Sequence, residues 1–381
     1  MDYDNLVNLL LDNGVLPFPI IRQGIRSQLR SRIAEIASTS LSSAYATKMK
    51  YIDLLRTRPI AIETTKANDQ HYEVGTGVLQ ACLGRRMKYS CCLYYDEQGR
   101  ALPGIDDAVG ILGGVGNAVV GEGVKSIEDR ISVAEDAMME NYVEKAGLRD
   151  GMRIFDLGCG WGSLSLYLAE RFPGAKVTAF SNSRTQKVFI DSEAGKKGLK
   201  NLEVVTGDIA TWEVPVDRQG VYDRVVSVEM FEHMKNYSKL LAKVAALLKP
   251  KGQAFVHMFA HKDMPYDFES GWMTEHFFTG GTMPSLDLMA YFQEDLNLKR
   301  QWYVNGKNYA RTCEDWLSKM NASKEQIWPH LEETYGKDKT RMWFYRWQVF
   351  YAACAELFAY GGGETWGVGL YLFEKPELSK R

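Results

Sequence analysis

The segment that most constrains the fold is residues 156–163, Asp-Leu-Gly-Cys-Gly-Trp-Gly-Ser, in which alternate residues from 158 to 162 are glycine. The apolar residues 153–157 are typical of a short strand, and residues 164–171 of a helix. Glycines permit a tight turn and let a ligand approach the backbone closely. The segment therefore predicts the first strand, turn and helix of an α/β sheet, with a ligand site at the strand's carboxyl end.

The alternation of strand and helix continues downstream and defines the fold class. Further strands are predicted at residues 176–180, 202–205, 222–228, 253–259 and 367–373, and helices at 133–145, 164–171, 184–197 and up to 248. Strands that alternate with helices predict a parallel sheet covered by helices on both faces.

Three regions lie outside this alternation. Residues 1–55 have apolar residues at helical spacing, for example Ile21, Ile25 and Leu29, and predict a helical extension. The high glycine content of residues 103–124 predicts a flexible loop. A phosphate loop is disfavoured because no Gly-Lys-Ser/Thr follows. Residues from about 260 to 350 are rich in aromatic residues and predict a helical lid. We expect an amino-terminal part at 1–130 and an α/β domain at 131–381.

Composition narrows the class of protein. A net charge of -2 provides no basic field for nucleic acid. The six cysteines form no CxxC pair, so we expect no metal site. Acidic residues at 2, 4 and 12 interrupt the apolar residues at the start of the chain, so we expect no signal peptide there. No apolar run reaches the length of about 20 residues that spans a bilayer. We expect a cytoplasmic protein that acts on a small molecule without nucleic acid or membrane partners, and a homodimer stays open.

Two details indicate which cofactor the glycine turn binds. A bare glycine pattern also fits NAD or FAD enzymes, but the second strand ends in Phe-Ser-Asn at 180–182, where a NAD enzyme usually has an acidic residue for the ribose. The first strand ends in an acidic residue, Asp156. Both details favour S-adenosylmethionine. Asp208, after the third strand, is suited to accept from the adenine amino group, with a helix cap as the alternative.

A cluster of acid and base residues follows the fourth strand. Glu229, Glu232 and His233 would share one face if a helix begins there, beside the cofactor. Carboxylates stabilise the charge that develops on a methylated amine, and an imidazole can remove the amine's proton. We expect a neighbouring carboxylate to raise the pKa of the histidine. The alternative is a solvated first helical turn, in which the helix dipole favours glutamate.

Together these residues resemble the coclaurine N-methyltransferase family of plant alkaloid enzymes, a branch of the cyclopropane fatty acid synthase-like methyltransferases. The resemblance extends from about residue 40 to 375. Its motifs, by residue number, are 70–73, 83–84, 88–92, 156–164, 181–183 with Gln186, 228–237, 277–284, 306–310 and 355–358.

The resemblance implies a class I methyltransferase with a Rossmann-like seven-stranded sheet that N-methylates an aromatic alkaloid amine, either a benzylisoquinoline or a phenylalkylamine. It implies that the catalytic residues are Glu229, Glu232, His233 and Glu73. The residues implied to bind S-adenosylmethionine are Tyr89, Ser90, Asp156, Gly158, Cys159, Gly160, Gly162, Ser163, Asn182, Gln186, Asp208 and Ile209. The residues implied to bind the substrate are Tyr309, Trp328, Trp343, Phe344 and Trp347, and packing in the lid core is the alternative for the lid aromatics.

Two other functions stay open at this point. The lipid branch of the superfamily uses bicarbonate as a base, and its pattern maps onto Cys91, Glu232, His257 and Tyr309. Glu229 disfavours that branch, whose members tend to carry a small residue there. Residues from about 96 to 128 are also longer and richer in glycine than the resemblance leads us to expect, which leaves the substrate open. The other alternative is a cofactor-binding module without activity.

Overall fold

A seven-stranded sheet forms the centre of the computed structural model, which describes residues 3–62, 75–105, 124–268 and 271–377. Its strands lie in the order β3-β2-β1-β4-β5-β9-β8. Chain positions are β1 Arg153–Leu157, β2 Lys176–Ser181, β3 Leu202–Thr206, β4 Tyr222–Val228, β5 Leu248–His261, β8 Asn297–Val304 and β9 Trp366–Glu374. Two short strands, β6 Tyr266–Asp267 and β7 Thr282–Met283, pair separately.

Twelve α-helices of the described residues surround the sheets. They are α1 Tyr3–Asp12, α2 Phe18–Ile36, α3 Leu41–Thr57, α4 Thr76–Cys82, α5 Val124–Lys145, α6 Ser163–Arg171, α7 Arg184–Lys196, α8 Tyr237–Leu247, α9 Trp272–His276, α10 Lys307–Ala322, α11 Lys324–Tyr335 and α12 Thr340–Ala359. No helix in the described ranges is long and apolar enough to cross a membrane.

The pairing of the strands places a crevice beside β1. β1 pairs in parallel with β2 on one side and with β4 on the other. The chain leaves β1 toward β2 and β3 and then returns to β4, so the strand order reverses next to β1. In open α/β sheets, ligands bind outside the carboxyl ends of the strands at such a reversal. The buried apolar residues of β1 and β2 explain why both strands are recognisable from the sequence.

The sheet departs from the expected parallel arrangement at one edge. β9 runs antiparallel to both β5 and β8. β8, which the sequence analysis missed, lies within the 260–350 region that was expected to form only a lid. Its residues Lys299, Arg300 and Gln301 are exposed. Because an edge strand can be largely polar, its sequence resembles a loop and lacks the apolar run of an inner strand.

Ion pairs fasten the amino-terminal helices to the lid. The guanidinium of Arg22 on α2 lies 2.7 Å from Glu314 Oε1 and 3.0 Å from Glu356 Oε1. Arg26 Nε lies 2.6 Å from Glu356 Oε2. Arg22 and both glutamates are buried, and removing one partner of such a group typically costs about 3–5 kcal/mol. The helical extension is therefore attached to α10 and α12, which carry the two glutamates.

Candidate active site

A cleft with two lobes lies at the carboxyl ends of β1 and β4. Gly158 and Gly160 line both lobes and therefore join them. The first lobe is lined by Phe180, Ser181, Asn182, Gln186, Asp208, Ile209, Met230 and His233, among others. The second lobe is lined by Met87, Lys88, Tyr89, Ser90, Asp156, Cys159, Trp161, Ser163 and Glu229, among others. Eleven of the twelve residues expected to bind the cofactor thus line the cleft; Gly162 is the exception.

The glycine turn keeps the backbone open toward the cleft. Gly158 has a φ of +79°, and a Cβ there would come within 2.6 Å of Met230 Cγ. Gly160 has a φ of +53°, a left-handed conformation that favours glycine. A Cβ built on Gly160 would meet nothing within 4 Å. The space in front of Gly160 is therefore available to a ligand.

Three buried polar atoms at the cleft lack a hydrogen-bond partner within the described part of the chain. They are Trp161 Nε1, Ser163 Oγ and Gln186 Nε2. A buried polar group without a partner typically costs about 1–3 kcal/mol. Trp161 and Ser163 line the second lobe and Gln186 lines the first. These groups fit a ligand with polar atoms at both ends, as S-adenosylmethionine has.

The two aspartates of the cleft are held by local contacts. Asp156 Oδ2 accepts a hydrogen bond of 2.5 Å from Ser165 Oγ, and burial raises the pKa of Asp156 to about 7 despite that bond. Asp208 Oδ1 accepts from the amide of Ala210 at 2.9 Å. Asp208 therefore caps a turn and also lines the first lobe, so its expected contact with adenine stays a prediction.

The expected helix at Glu229 is absent, which corrects the sequence analysis. Glu229 has a left-handed backbone with a φ of +48°, and residues Phe231–His233 form one 3₁₀ turn. α8 begins only at Tyr237, where the side chain of Asn236 accepts from the amide of Lys239. The i, i+3, i+4 spacing therefore does not place the three side chains on one helical face. The left-handed backbone of Glu229 instead directs its side chain to the second lobe, while the side chain of His233 lines the first lobe.

Three donors surround the carboxylate of Glu229. Oε1 accepts from the amide of Cys91 at 2.9 Å and lies 3.0 Å from His257 Nε2. Oε2 accepts from the hydroxyl of Tyr309. Burial raises the pKa of Glu229, but the hydrogen bond from His257, the charge of Lys88 and the Cys91 amide outweigh burial. The pKa is therefore below its usual value, and Glu229 is an ionised, immobile carboxylate.

A second hydrogen bond fixes His257. Its Nδ1 lies 2.7 Å from the hydroxyl of Tyr142. Burial lowers the pKa of His257, although Glu229 acts in the opposite direction. We assign a neutral ring protonated on Nε2, because that tautomer donates to Glu229 and accepts from Tyr142.

Glu232 is buried and has the opposite protonation preference. Its Oε1 accepts from the amide of Phe259 at 2.6 Å, whereas Oε2 has no hydrogen-bond partner among the residues that the structure describes. Burial and the negative charge of Glu229 raise the pKa of Glu232 well above its usual range. Two carboxylates three positions apart therefore differ in charge near neutral pH.

His233 is held against an aromatic ring. It stacks on Phe278 with ring centroids 4.7 Å apart. Burial lowers the pKa of His233 to about 4, although the charge of Glu229 acts to raise it. The expectation that a neighbouring carboxylate would raise the pKa is therefore wrong in its net direction, because burial outweighs the carboxylate. His233 is neutral near pH 7.

An aromatic frame that the sequence analysis missed connects these groups. Phe259 lies 5.7 Å from Phe278 and 6.2 Å from Phe358, and Phe358 stacks on Tyr309 at 4.2 Å between ring centroids. Phe278 touches His233, and Tyr309 binds Glu229. The frame comes from β5, the lid and two distant helices. Only the fold brings these residues together, so no local pattern could have revealed it.

The remaining expected residues do not line the cleft. Trp328, Trp343, Phe344 and Trp347 pack within the lid, where Trp343 stacks on Tyr335 at 4.2 Å and Trp347 lies 5.0 Å from Phe277. Their packing matches the lid-core alternative, and their contact with a substrate stays a prediction. Glu73 lies outside the described residues. The described residues contain no group of three or more His, Cys, Asp or Glu side chains that could hold a metal ion.

The seven-stranded sheet and the two-lobed glycine cleft define a class of enzyme, the S-adenosylmethionine-dependent methyltransferases. The family described as mycolic acid cyclopropane synthetase matches residues 61–366. The chain belongs to this family, which confirms the superfamily that the sequence motifs indicated.

Individual relatives agree with this assignment. The chain is 34% identical to an (S)-coclaurine N-methyltransferase of Thalictrum flavum subsp. glaucum, over 97% of this chain and 96% of that relative. It is 25% identical to cyclopropane-fatty-acyl-phospholipid synthase of Escherichia coli K12, over 92% of this chain and 76% of the synthase.

A solved structure is similar over nearly the whole chain. It is a coclaurine N-methyltransferase bound to N-methylheliamine and S-adenosylhomocysteine, with a TM-score of 0.84, 30% identity and coverage of 97% and 99%. The cyclopropane synthase MmaA2 from Mycobacterium tuberculosis shares the fold at a TM-score of 0.61 and 17% identity, with coverage of 82% and 98%.

Replacing Ser163 with alanine tests the fit of the cofactor to the second lobe. Because the hydroxyl is buried without a partner, Ser163→Ala should leave the melting temperature of the free protein unchanged or raised. Loss of one hydrogen bond of about 1 kcal/mol should weaken S-adenosylhomocysteine binding about five-fold. Calorimetric titration and thermal unfolding measure the two effects. Unchanged affinity would show that Ser163 does not contact the cofactor.

Proposed function

We propose that this protein transfers the methyl group of S-adenosylmethionine to the nitrogen of an aromatic alkaloid amine, a benzylisoquinoline or a phenylalkylamine. The observation that carries the proposal is the pairing of an ionised Glu229 with a neutral His233 at one cleft, connected by a frame of aromatic rings. The similarity to coclaurine N-methyltransferases supports the same acceptor class.

The site suits an amine before and after transfer. An alkylamine has a pKa near that of lysine, about 10, and therefore arrives mostly as a cation. The fixed negative charge of Glu229 attracts that cation. The methylated product again carries positive charge, so the same groups stabilise charge as it develops on the nitrogen.

Before it can react, the amine must lose a proton. His233 is neutral near pH 7 and offers a ring nitrogen as the base. The negative charge of Glu229 stabilises the imidazolium that forms. Glu232 is buried and lines neither lobe, but its Oε2 has no hydrogen-bond partner among the described residues. In the proposed reaction this oxygen accepts a hydrogen bond from the amine once an incoming cation favours the ionised form of Glu232. The cofactor supplies the electrophilic methyl group of its sulfonium.

Glu229 also separates this proposal from the lipid alternative. The positions that the resemblance assigns to a bicarbonate site include Cys91, His257 and Tyr309, and here all three bind the Glu229 carboxylate. The side chain therefore occupies the donors that a free bicarbonate would need. A built-in carboxylate at this place favours an acceptor that becomes a cation over an uncharged alkene.

A panel of acceptors tests the proposed function directly. The protein should methylate at least one of phenethylamine, tetrahydroisoquinoline and 1-benzyltetrahydroisoquinoline in the presence of S-adenosylmethionine, as read by mass spectrometry. Vesicles of unsaturated phospholipid should give no cyclopropane product. A cyclopropane lipid without any methylated amine would overturn the proposal in favour of the lipid alternative. Bound S-adenosylhomocysteine without turnover on any acceptor would favour the inactive module.

Removing the Glu229 side chain should abolish most of the activity and create an anion site. Glu229→Gly should lower kcat roughly a hundred-fold, the usual effect of deleting one electrostatic contact in a transition state. The donors left by Cys91, His257 and Tyr309 should bind added formate or bicarbonate, which should restore part of kcat. The unmodified protein, which should not respond to either anion, is the control. Full activity of Glu229→Gly without anion would remove Glu229 from the proposed chemistry.

His233→Ala tests the assignment of the base. Loss of a general base should lower kcat roughly a hundred-fold or more. Affinity for S-adenosylhomocysteine, measured by calorimetry, should fall much less. His276→Ala is the matched control, because His276 lies against Trp272 and Trp343 and lines neither lobe. Equal kcat in His233→Ala and the control would exclude His233 as the base.

A further inference from the structure

Residues 83–94 contain neither helix nor strand and form a wall beside the second lobe, which Met87, Lys88, Tyr89 and Ser90 line. A buried segment without regular structure must satisfy its backbone groups in other ways. Here side chains from other elements accept several of the backbone N–H groups, and backbone carbonyls accept those of Met87 and Leu93. The amides of Arg86 and Lys88 bind Glu135, that of Cys91 binds Glu229, that of Cys92 binds Thr312, and those of Tyr94 and Tyr95 bind Asn308.

Glu135, on α5, makes two of these contacts. It is fully buried; Oε2 accepts from the Arg86 amide at 2.8 Å and Oε1 from the Lys88 amide at 3.1 Å. Between them Met87 has a φ of +54°, and this left-handed residue turns both amides toward one carboxylate. Such a conformation costs about 1–3 kcal/mol in a residue other than glycine, so it needs a contact that holds it.

The wall contributes several polar and aromatic groups to the second lobe. Lys88 Nζ donates to Ser90 Oγ and lies 5.3 Å from the centre of the Tyr142 ring, while Tyr89 lines the lobe. Three residues beyond Lys88, the Cys91 amide reaches Glu229. Glu135 itself lines neither lobe and acts only through this wall.

The two lobes differ in polarity, which indicates how the cofactor lies. The first contains Phe180, Ile209 and Met230 and suits the adenosine end. The second contains Lys88, Ser90 and Asp156, which suit the ammonium and carboxylate of the amino-acid end.

We propose that Glu135 is a positioning residue, which holds residues 86–91 so that they bind the amino-acid end of S-adenosylmethionine and present the Cys91 amide to Glu229. The inference concerns the cofactor and does not depend on the acceptor.

The test compares two ligands that share the adenosine end. S-adenosylhomocysteine has the amino-acid end, and 5′-methylthioadenosine lacks it. Glutamine keeps the size of Glu135 but places an N–H group against one of the two amides. At pH 8, above the pKa of about 7 that burial gives Glu135, Glu135→Gln should weaken S-adenosylhomocysteine binding ten-fold or more. Binding of 5′-methylthioadenosine should change less than two-fold. Calorimetry measures both affinities.

Asp136→Asn is the matched control. It removes the same charge from the adjacent position of α5, and the partners of Asp136 among the described residues are the side chains of Arg85 and Arg86. Neither affinity should change by more than two-fold in this variant. An equal loss for both ligands in Glu135→Gln, or no loss for S-adenosylhomocysteine, would overturn the proposal.

Hydrogen exchange in the unmodified protein tests the inference even if the variant folds poorly. Because Glu135 binds the wall without any ligand, the amides of Arg86 and Lys88 should exchange at least a hundred-fold slower than exposed amides in the free protein. If these two amides exchange as fast as exposed amides in the free protein, and slow only when S-adenosylhomocysteine is added, the proposal is overturned.

Discussion

The geometry of the site depends on one buried carboxylate and its three donors. Glu229 follows β4, and its partners come from the wall of the second lobe, from β5 and from α10, by way of Cys91, His257 and Tyr309. An ionised carboxylate away from water is costly unless it is hydrogen-bonded. The sheet, the wall and the lid must therefore meet at this point for Glu229 to keep its charge.

The same charge sets the state of its neighbours. After burial, it is the second cause that raises the pKa of Glu232 and keeps its proton, and it opposes, without reversing, the fall in the pKa that burial imposes on His233. Titratable groups whose pKa values are driven apart are typical of sites that move protons. The three residues lie within five positions of the chain, but burial and their different contacts leave Glu229 ionised, Glu232 protonated and His233 neutral.

Local sequence patterns predicted the inner strands and the glycine turn, because apolar runs and alternate glycines need only neighbouring residues to be recognised. The same reasoning missed β8, because an edge position permits a polar sequence. It also placed a helix at Glu229, because a left-handed backbone at a residue other than glycine cannot be recognised from the sequence. The aromatic frame of Phe259, Phe278 and Phe358 was also missed. Its members are far apart in the chain, and the equally aromatic Trp347 lies in the lid core instead.

The ion pairs of Arg22 have a consequence for how such an enzyme diversifies. The glycine cleft is built largely from one continuous stretch of sheet and helix, whereas Tyr309 and Phe358 lie on α10 and α12, which α2 holds from outside through Glu314 and Glu356. The strands that line the cleft thus have a different support from α10 and α12, and the two parts meet where Tyr309 binds Glu229 and Asn308 and Thr312 bind the wall. We expect substitutions in the amino-terminal helices to act first on α10 and α12, and to reach the cleft only through these contacts.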